Sequence, residues 1–113
     1  MNGEAAHEMK RVPVACNWAA LTAEQRERQR ALIELLRADA KEVRDLDDGY
    51  VFGYSPDRTT LRAIAEFVAN ERLCCPFFEF GITVERDGGP VWLRITGKSE
   101  AKPVLEAEMG VGA

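Results

Sequence analysis

Two adjacent cysteines, Cys74 and Cys75, follow a glutamate by one helical turn and immediately precede a proline, in the segment 71 to 77 (ERLCCPF). Thiol side chains can bind a soft metal ion, exchange with a disulfide, or fill a core as small apolar groups. On an ideal helix, Glu71 lies between the two thiols, about 60° from Cys74 and about 40° from Cys75. Two sulfurs and one carboxylate oxygen are therefore available to a single metal ion.

These donors suit two kinds of ion. Two thiolates and a carboxylate supply three ligands for Zn(II), whereas thiolates alone suit softer ions such as Hg(II) or Cu(I), for which linear or trigonal coordination is sufficient. The third cysteine is Cys16, and three sulfurs converge if its segment pairs with the strand after Pro76. The sequence thus predicts a thiophilic metal site formed by Cys74 and Cys75, with Cys16 and Glu71 as supporting ligands.

Packing without metal is the alternative explanation for the cysteine pair. Cys75 continues an apolar helix stripe that includes Ile64 and Val68, and free cysteine is among the most buried residue types. A helix C-terminus and the charge of Glu71 both raise a thiol pKa, unless a metal or a cation such as Arg72 compensates. The spacing also lacks the Cys-x-x-Cys chelate of structural zinc sites. Fully enclosed thiols with no path to solvent would identify packing.

Common catalytic sites are missing from the sequence. It contains no Gly-rich phosphate loop and no serine elbow, and its single histidine, His7, lies in the N-terminal tail. A disulfide between the neighbouring cysteines is strained, which argues against redox cycling. Protonation of a bound organometal by two thiols and an acid is the one remote enzymatic alternative. We therefore expect a binding protein rather than an enzyme.

Length and composition fit one ordinary soluble domain, because 113 residues with 46% apolar and 30% charged side chains can bury a core. Three cysteines are an odd count, no apolar run is long enough to cross a membrane, and the first residues do not resemble a signal peptide. These features predict a cytoplasmic chain with reduced thiols. The net charge of -4 argues against a nucleic-acid surface.

The spacing of apolar residues and the positions of glycine and proline divide the chain into a tail at 1 to 10, a domain at 11 to 109 and a short tail at 110 to 113. Residues 11 to 16 predict a strand at a sheet edge, because Pro13 lacks a backbone donor. Thr22 and Gln25 form a capping box that starts a helix running to about Ala40. Pro76 ends a second helix at the cysteines, because the residue before a proline avoids helical backbone angles.

Two hairpins and a final helix complete the prediction. Residues 43 to 54 alternate around a turn at 47 to 49, residues 78 to 84 and 91 to 96 alternate around a Gly-Gly-Pro turn, and residues 100 to 109 form a short helix. The order repeats a helix-plus-hairpin unit. The predicted fold class is therefore α+β, with one mostly antiparallel sheet that carries the helices on one face.

Three aromatic residues of the first hairpin, Tyr50, Phe52 and Tyr54, alternate and so share one sheet face. Such a stripe is typical of a core or a subunit contact, and less often of a ligand platform. The first half of the first helix, residues 24 to 30, is polar all round and either projects into solvent or meets another subunit. Together these features predict a homodimer with two-fold symmetry.

Four segments carry a resemblance to a known group: the helix start at 21 to 24, the turn at 71 to 77, the alternating strand after it, and residues 89 to 93 (GPVWL). They resemble small, mostly uncharacterised bacterial proteins, and similar segments occur attached to heavy-metal regulators of the mercury-responsive (MerR) type. The resemblance extends from Val12 to about Leu105. It implies a metal-related thiol module with Cys16, Cys74 and Cys75 as the matching sulfurs, and a regulatory protein as a possible partner. In this chain Cys16 lies further from the helix start than in that group.

Overall fold

The computed structural model describes residues 14 to 98 and 100 to 112. In chain order the elements are helix α1 (Ala23–Asp39), strands β1 (Glu42–Leu46) and β2 (Gly49–Tyr54), helix α2 (Arg58–Cys74), strands β3 (Glu79–Val84) and β4 (Val91–Thr96), and helix α3 (Ala101–Met109). The predicted α+β class and the repeated helix-plus-hairpin order are confirmed. Within the described ranges, no helix is long and apolar enough to cross a bilayer.

The four strands form one antiparallel sheet in the order β1-β2-β4-β3. Strands β2 and β4 are central, and their register pairs Tyr50 with Ile95 and Phe52 with Leu93. These four side chains lie on one face and are almost fully buried. The helices cover this face. Successive side chains of a strand point to opposite faces, so the side chains between these four lie on the other face, which is open to solvent.

Local signals define both ends of the two long helices. Thr22 and Gln25 form the predicted capping box at the start of α1, with each side chain accepting a hydrogen bond from the other residue's backbone N–H. Asp57 caps α2 by accepting from the backbone N–H of Thr60 at 2.7 Å. Cys75 is the C-cap of α2, so the predicted stop before Pro76 is confirmed.

The predicted edge strand at 11 to 16 is wrong for the residues that can be described. Residues 14 to 16 adopt bends and irregular backbone, and strands β1 and β3 form the sheet edges. The chain instead crosses the end of α2, where the backbone N–H of Asn17 donates to the carbonyl of Cys74 at 2.7 Å. Residues 1 to 13, including the predicted tail, His7 and Pro13, lie outside the described part of the chain, as does Ala113.

The aromatic stripe of β2 belongs to the core of this chain. Tyr50, Phe52 and Tyr54 are at most 4% exposed. The hydroxyl of Tyr54 donates to the backbone carbonyl of Leu36 at 3.0 Å, and that of Tyr50 donates to a carboxylate oxygen of Glu106 at 2.7 Å. The stripe is therefore covered from within, and any contact between subunits must use a different surface.

Candidate metal centre

The end of α2 brings together the three residues that the Glu-x-x-Cys-Cys spacing singles out. The sulfurs of Cys74 and Cys75 are 3.6 Å apart, and the Cys74 sulfur is 3.9 Å from Oε1 of Glu71. All three residues have no exposed surface. The helix has one more backbone hydrogen bond beyond its last residue, from the N–H of Cys75 to the carbonyl of Glu71 at 2.7 Å. The geometry predicted for the pair and its carboxylate is thus present.

Cys16 reaches the same place and forms a disulfide with Cys75, across 59 positions of sequence. Cys74 is the free cysteine of the described residues. The prediction that all three thiols are reduced does not describe this structure. The prediction considered only a disulfide between Cys74 and Cys75, which is strained. In the structure, the segment before α1 crosses the end of α2 and brings Cys16 next to Cys75.

Glu108, on α3, is a fifth member of the group that the sequence did not identify. One of its carboxylate oxygens and the sulfurs of Cys16 and Cys75 all lie within 4.8 Å of one another, as do the donor atoms of Glu71, Cys74 and Cys75. Cys75 belongs to both sets. The available signal was a carboxylate on an apolar helix face, because Glu108 follows the buried Ala101 and Leu105 by seven and three positions.

Gln29 supports the cluster from α1 and was likewise missed. Its side chain has no exposed surface, and its Nε2 donates to Oε1 of Glu71 at 2.8 Å and to the carbonyl of Phe67 at 3.0 Å. It lies in the polar half of α1 that was expected to face solvent or another subunit. The signal was its spacing, three and four positions before the buried Leu32 and Ile33. Gln29 orients the Glu71 carboxylate toward the sulfurs.

Two enclosed carboxyl oxygens of the cluster, Oε2 of Glu71 and Oε1 of Glu108, have no hydrogen-bond donor from outside this carboxyl pair in the part of the chain that the structure describes. Burial, a shared hydrogen bond with Glu71 and the Glu71 charge raise the pKa of Glu108 to about 10. Burial and the charges of Glu71 and Glu108 raise the pKa of Cys74 to about 12. Both groups therefore retain protons at neutral pH when no other cation is bound.

No basic side chain neutralises this cluster among the residues with described contacts. The salt bridges there join Arg28 to Glu66, Arg44 to Glu42 and Lys102 to Asp45. Arg72, the cation suggested by the sequence, is exposed at the surface and takes part in none of them. The three sulfurs and two carboxyl groups thus form an acidic group without a basic partner.

Chemically, the cluster is suited to holding a cation rather than to nucleophilic attack. A cysteine whose pKa is raised to about 12 is almost entirely protonated at neutral pH, and the thiolate is the nucleophilic form. Three thiol sulfurs and two carboxylates are the donors that borderline and soft metal ions prefer, and such an ion must displace the Cys74 proton to bind, because the thiolate is also the ligating form. In the disulfide form only Cys74 offers a thiol. Comparisons with models of protein families, with curated proteins and with solved structures find no match to the chain.

Proposed function

We propose that the reduced chain binds one thiophilic metal ion through Cys74 and Cys75, with Cys16 and Glu71 as further ligands, and acts in sensing or sequestration of that ion. Two equivalents of a small thiol reduce the Cys16–Cys75 disulfide to two thiols and leave as their own disulfide. The metal then displaces the thiol protons, because thiolates are the ligating form. The disulfide form is the oxidised, metal-free state.

The observation that carries this proposal is the pair of enclosed carboxylate oxygens beside three sulfurs. Buried polar atoms in folded proteins normally have a hydrogen-bond partner, and buried charges are normally paired or bound to metal. Here the carboxyl groups of Glu71 and Glu108 have only the hydrogen bond that they share with each other, and Oε2 of Glu71 and Oε1 of Glu108 have no other donor in the described ranges. A bound cation replaces the proton that the two carboxyl groups share and pairs with both of them.

Access to the cluster is limited to its outer members. Cys74 and Cys75 have no exposed surface, but Cys16 and Glu108 are each partly exposed. The oxygen Oε1 of Glu108 is nevertheless enclosed, so an ion reaches the sulfurs only after the structure opens beside Cys16. Reduction of the disulfide removes the covalent link between the segment before α1 and α2, and the hydrogen bond from Asn17 to Cys74 still holds the segment there.

The resemblance to segments attached to MerR-type regulators supports a role in sensing, with a regulatory protein as partner. Hg(II), Zn(II) and Cu(I) are the candidate ions, and the donor set suits a borderline or soft ion. Free thiols persist in a reducing compartment, so the proposal assigns the working chain to the cytoplasm.

The double variant Cys74→Ser, Cys75→Ser tests the proposal. Reduced parent and variant are titrated with Hg(II) and Zn(II) against a chelator of known affinity. We expect the variant to lose binding of both ions. A control variant, Ala63→Ser, places a hydroxyl at another buried position of α2 and should bind as the parent does. Equal affinity of the parent and the double variant would place the site elsewhere or show that none exists.

A second candidate function is a dimeric interaction module whose cysteines are structural. Three observations favour it. Cys74 and Cys75 have no exposed surface, as expected for packing, the Cys16–Cys75 disulfide joins the segment before α1 to α2, and three apolar side chains are exposed. These are Leu73, Ile82 and Val84, at 44%, 40% and 57% exposed. Apolar surface on an edge strand is a ready contact for a second copy. A sedimentation experiment at about 10 µM tests this candidate, because ordinary dimers persist at that concentration.

A further inference from the structure

We propose that Glu108 is a direct ligand of the same ion, a fifth donor beside Cys16, Cys74, Cys75 and Glu71, and makes the site selective for divalent ions that accept four or five mixed sulfur and oxygen donors, such as Zn(II), over ions that sulfur alone satisfies, such as Cu(I). This inference rests on the proposed function and deepens it. It assigns a role to the C-terminal helix, which contributes no cysteine. It also assigns the chemical class of the ion.

The spacing of the Cys74 and Cys75 sulfurs fits bond angles near tetrahedral, whereas the Cys16 and Cys75 sulfurs, joined in this structure, must separate on reduction to reach the same spacing. With bonds of about 2.3 Å, two sulfurs of a tetrahedral zinc site lie about 3.8 Å apart, whereas a linear ion with bonds of that length needs them about 4.6 Å apart. The sulfurs of Cys74 and Cys75 are 3.6 Å apart. A tetrahedral site also needs a sulfur and an oxygen about 3.5 Å apart, and the Cys74 sulfur lies 3.9 Å from Oε1 of Glu71.

Glu108 completes the site from the opposite side of Cys75. Its carboxylate oxygen lies within 4.8 Å of the sulfurs of both Cys16 and Cys75. Oε1 of Glu108 is enclosed, and the Glu108 carboxyl group has Glu71 as its hydrogen-bond partner. Glu71 has no exposed surface and brings Oε1 to 3.9 Å from the Cys74 sulfur. Two independent carboxylates from α2 and α3 therefore converge where the sulfurs meet.

The mixture of donors determines the selectivity. Zinc binds carboxylate oxygen at about 2.0–2.2 Å together with thiolate sulfur, whereas Cu(I) prefers sulfur and gains little from a carboxylate. Removing the Glu108 carboxylate should therefore weaken Zn(II) binding and leave Cu(I) binding almost unchanged. If Glu108 served only to pack α3 against the core, its loss would affect both ions equally.

The test compares Glu108→Gln with Glu100→Gln in the full, reduced chain. Glu100 is exposed and precedes the same helix without making a side-chain cap, so it is a matched control for the loss of charge. Affinities for Zn(II) and Cu(I) are measured by competition with chelators. We expect Glu108→Gln to bind Zn(II) at least tenfold more weakly than the parent. Removal of a group that only hydrogen-bonds a ligand already lowers metal affinity by about tenfold or more, and removal of a ligand should lower it at least as much. Its Cu(I) affinity and both affinities of Glu100→Gln should match those of the parent.

The conservative variant Glu108→Asp keeps an oxygen ligand and should bind Zn(II) more tightly than Glu108→Gln. Unchanged Zn(II) affinity in Glu108→Gln, or an equal loss for Zn(II) and Cu(I), would overturn the role of Glu108 while the metal site itself stands. A reduced parent that binds neither ion would instead refute the proposed function. Far-UV circular dichroism of each variant verifies that it is folded before titration.

Discussion

Reduction of the Cys16–Cys75 disulfide should lower the free energy of unfolding by about 4 kcal/mol in the metal-free protein. A cross-link removes conformational entropy from the unfolded chain by an amount that grows with the logarithm of the loop it closes. For the 59-residue separation of this disulfide, the loop-entropy relation gives about 14 cal/mol/K, or about 4 kcal/mol at about 25 °C. That is a large share of the total stability of a small domain.

The folded contacts of the segment remain after reduction. The hydrogen bond from Asn17 to Cys74 and the buried Leu21, at 2% exposed, still hold it against α2. The effect should therefore appear as lower stability of the whole domain rather than as local loss of the segment. The assay is urea unfolding of the same protein with and without a dithiol reductant, followed by circular dichroism.

Two variants serve as controls in this assay. Cys16→Ser removes the disulfide, so its stability should be low and should not respond to reductant. Cys74→Ser retains the disulfide and should respond as the parent does. A parent whose stability does not change with reductant would refute the reasoning, because it would mean that Cys16 and Cys75 are not joined in solution.

Three further predictions follow from the structure. Metal-free reduced protein should lose stability as pH rises from about 5.5 to about 8.5, because folded Glu108, with its pKa raised to about 10, keeps a proton that the unfolded chain has released. Urea unfolding at both pH values measures this change, and the variant Glu108→Gln should show a smaller one. A free energy of unfolding that rises with pH would contradict the prediction. Gln29→Ala should lower the free energy of unfolding by about 1–3 kcal/mol, because it leaves the Glu71 carboxylate and a buried carbonyl without their donor, and a loss below this range in the same assay would mean that solvent replaces the amide. If the chain dimerises through β3, Ile82→Lys should shift it to monomer in sedimentation velocity; an unchanged dimer would exclude that surface.

The elements next to the site were predictable because their signals act over short distances. The capping box at Thr22 involves residues three positions apart, and the end of α2 follows from Pro76 restricting the residue before it. Alternation along β2 and β4 likewise depends only on the pleat of each strand. The spacing of Glu71, Cys74 and Cys75 within one helical turn belongs to the same class of signal.

The remainder of the cluster depends on contacts between distant parts of the chain. Gln29 and Glu108 reach Glu71 from α1 and α3, and Cys16 reaches Cys75 across 59 positions. Periodicity assigns a residue to a face of its own helix but does not define which side chains of other elements that face meets. The segment at 14 to 16 was wrongly predicted as a strand for the same reason. Its hydrogen-bond partner is the end of a helix, and its local pattern does not encode that partner.

The most direct test of the metal site is the amount of metal that the protein retains. Reduced and oxidised samples of the parent are mixed with one equivalent of Zn(II), separated from free ion by gel filtration, and assayed for metal and protein. We predict that the reduced protein retains one ion per chain and that the oxidised protein, with two of its three sulfurs in the disulfide, retains only a trace. Equal retention by the two samples, or none by either, would contradict a thiolate site at Cys16, Cys74 and Cys75.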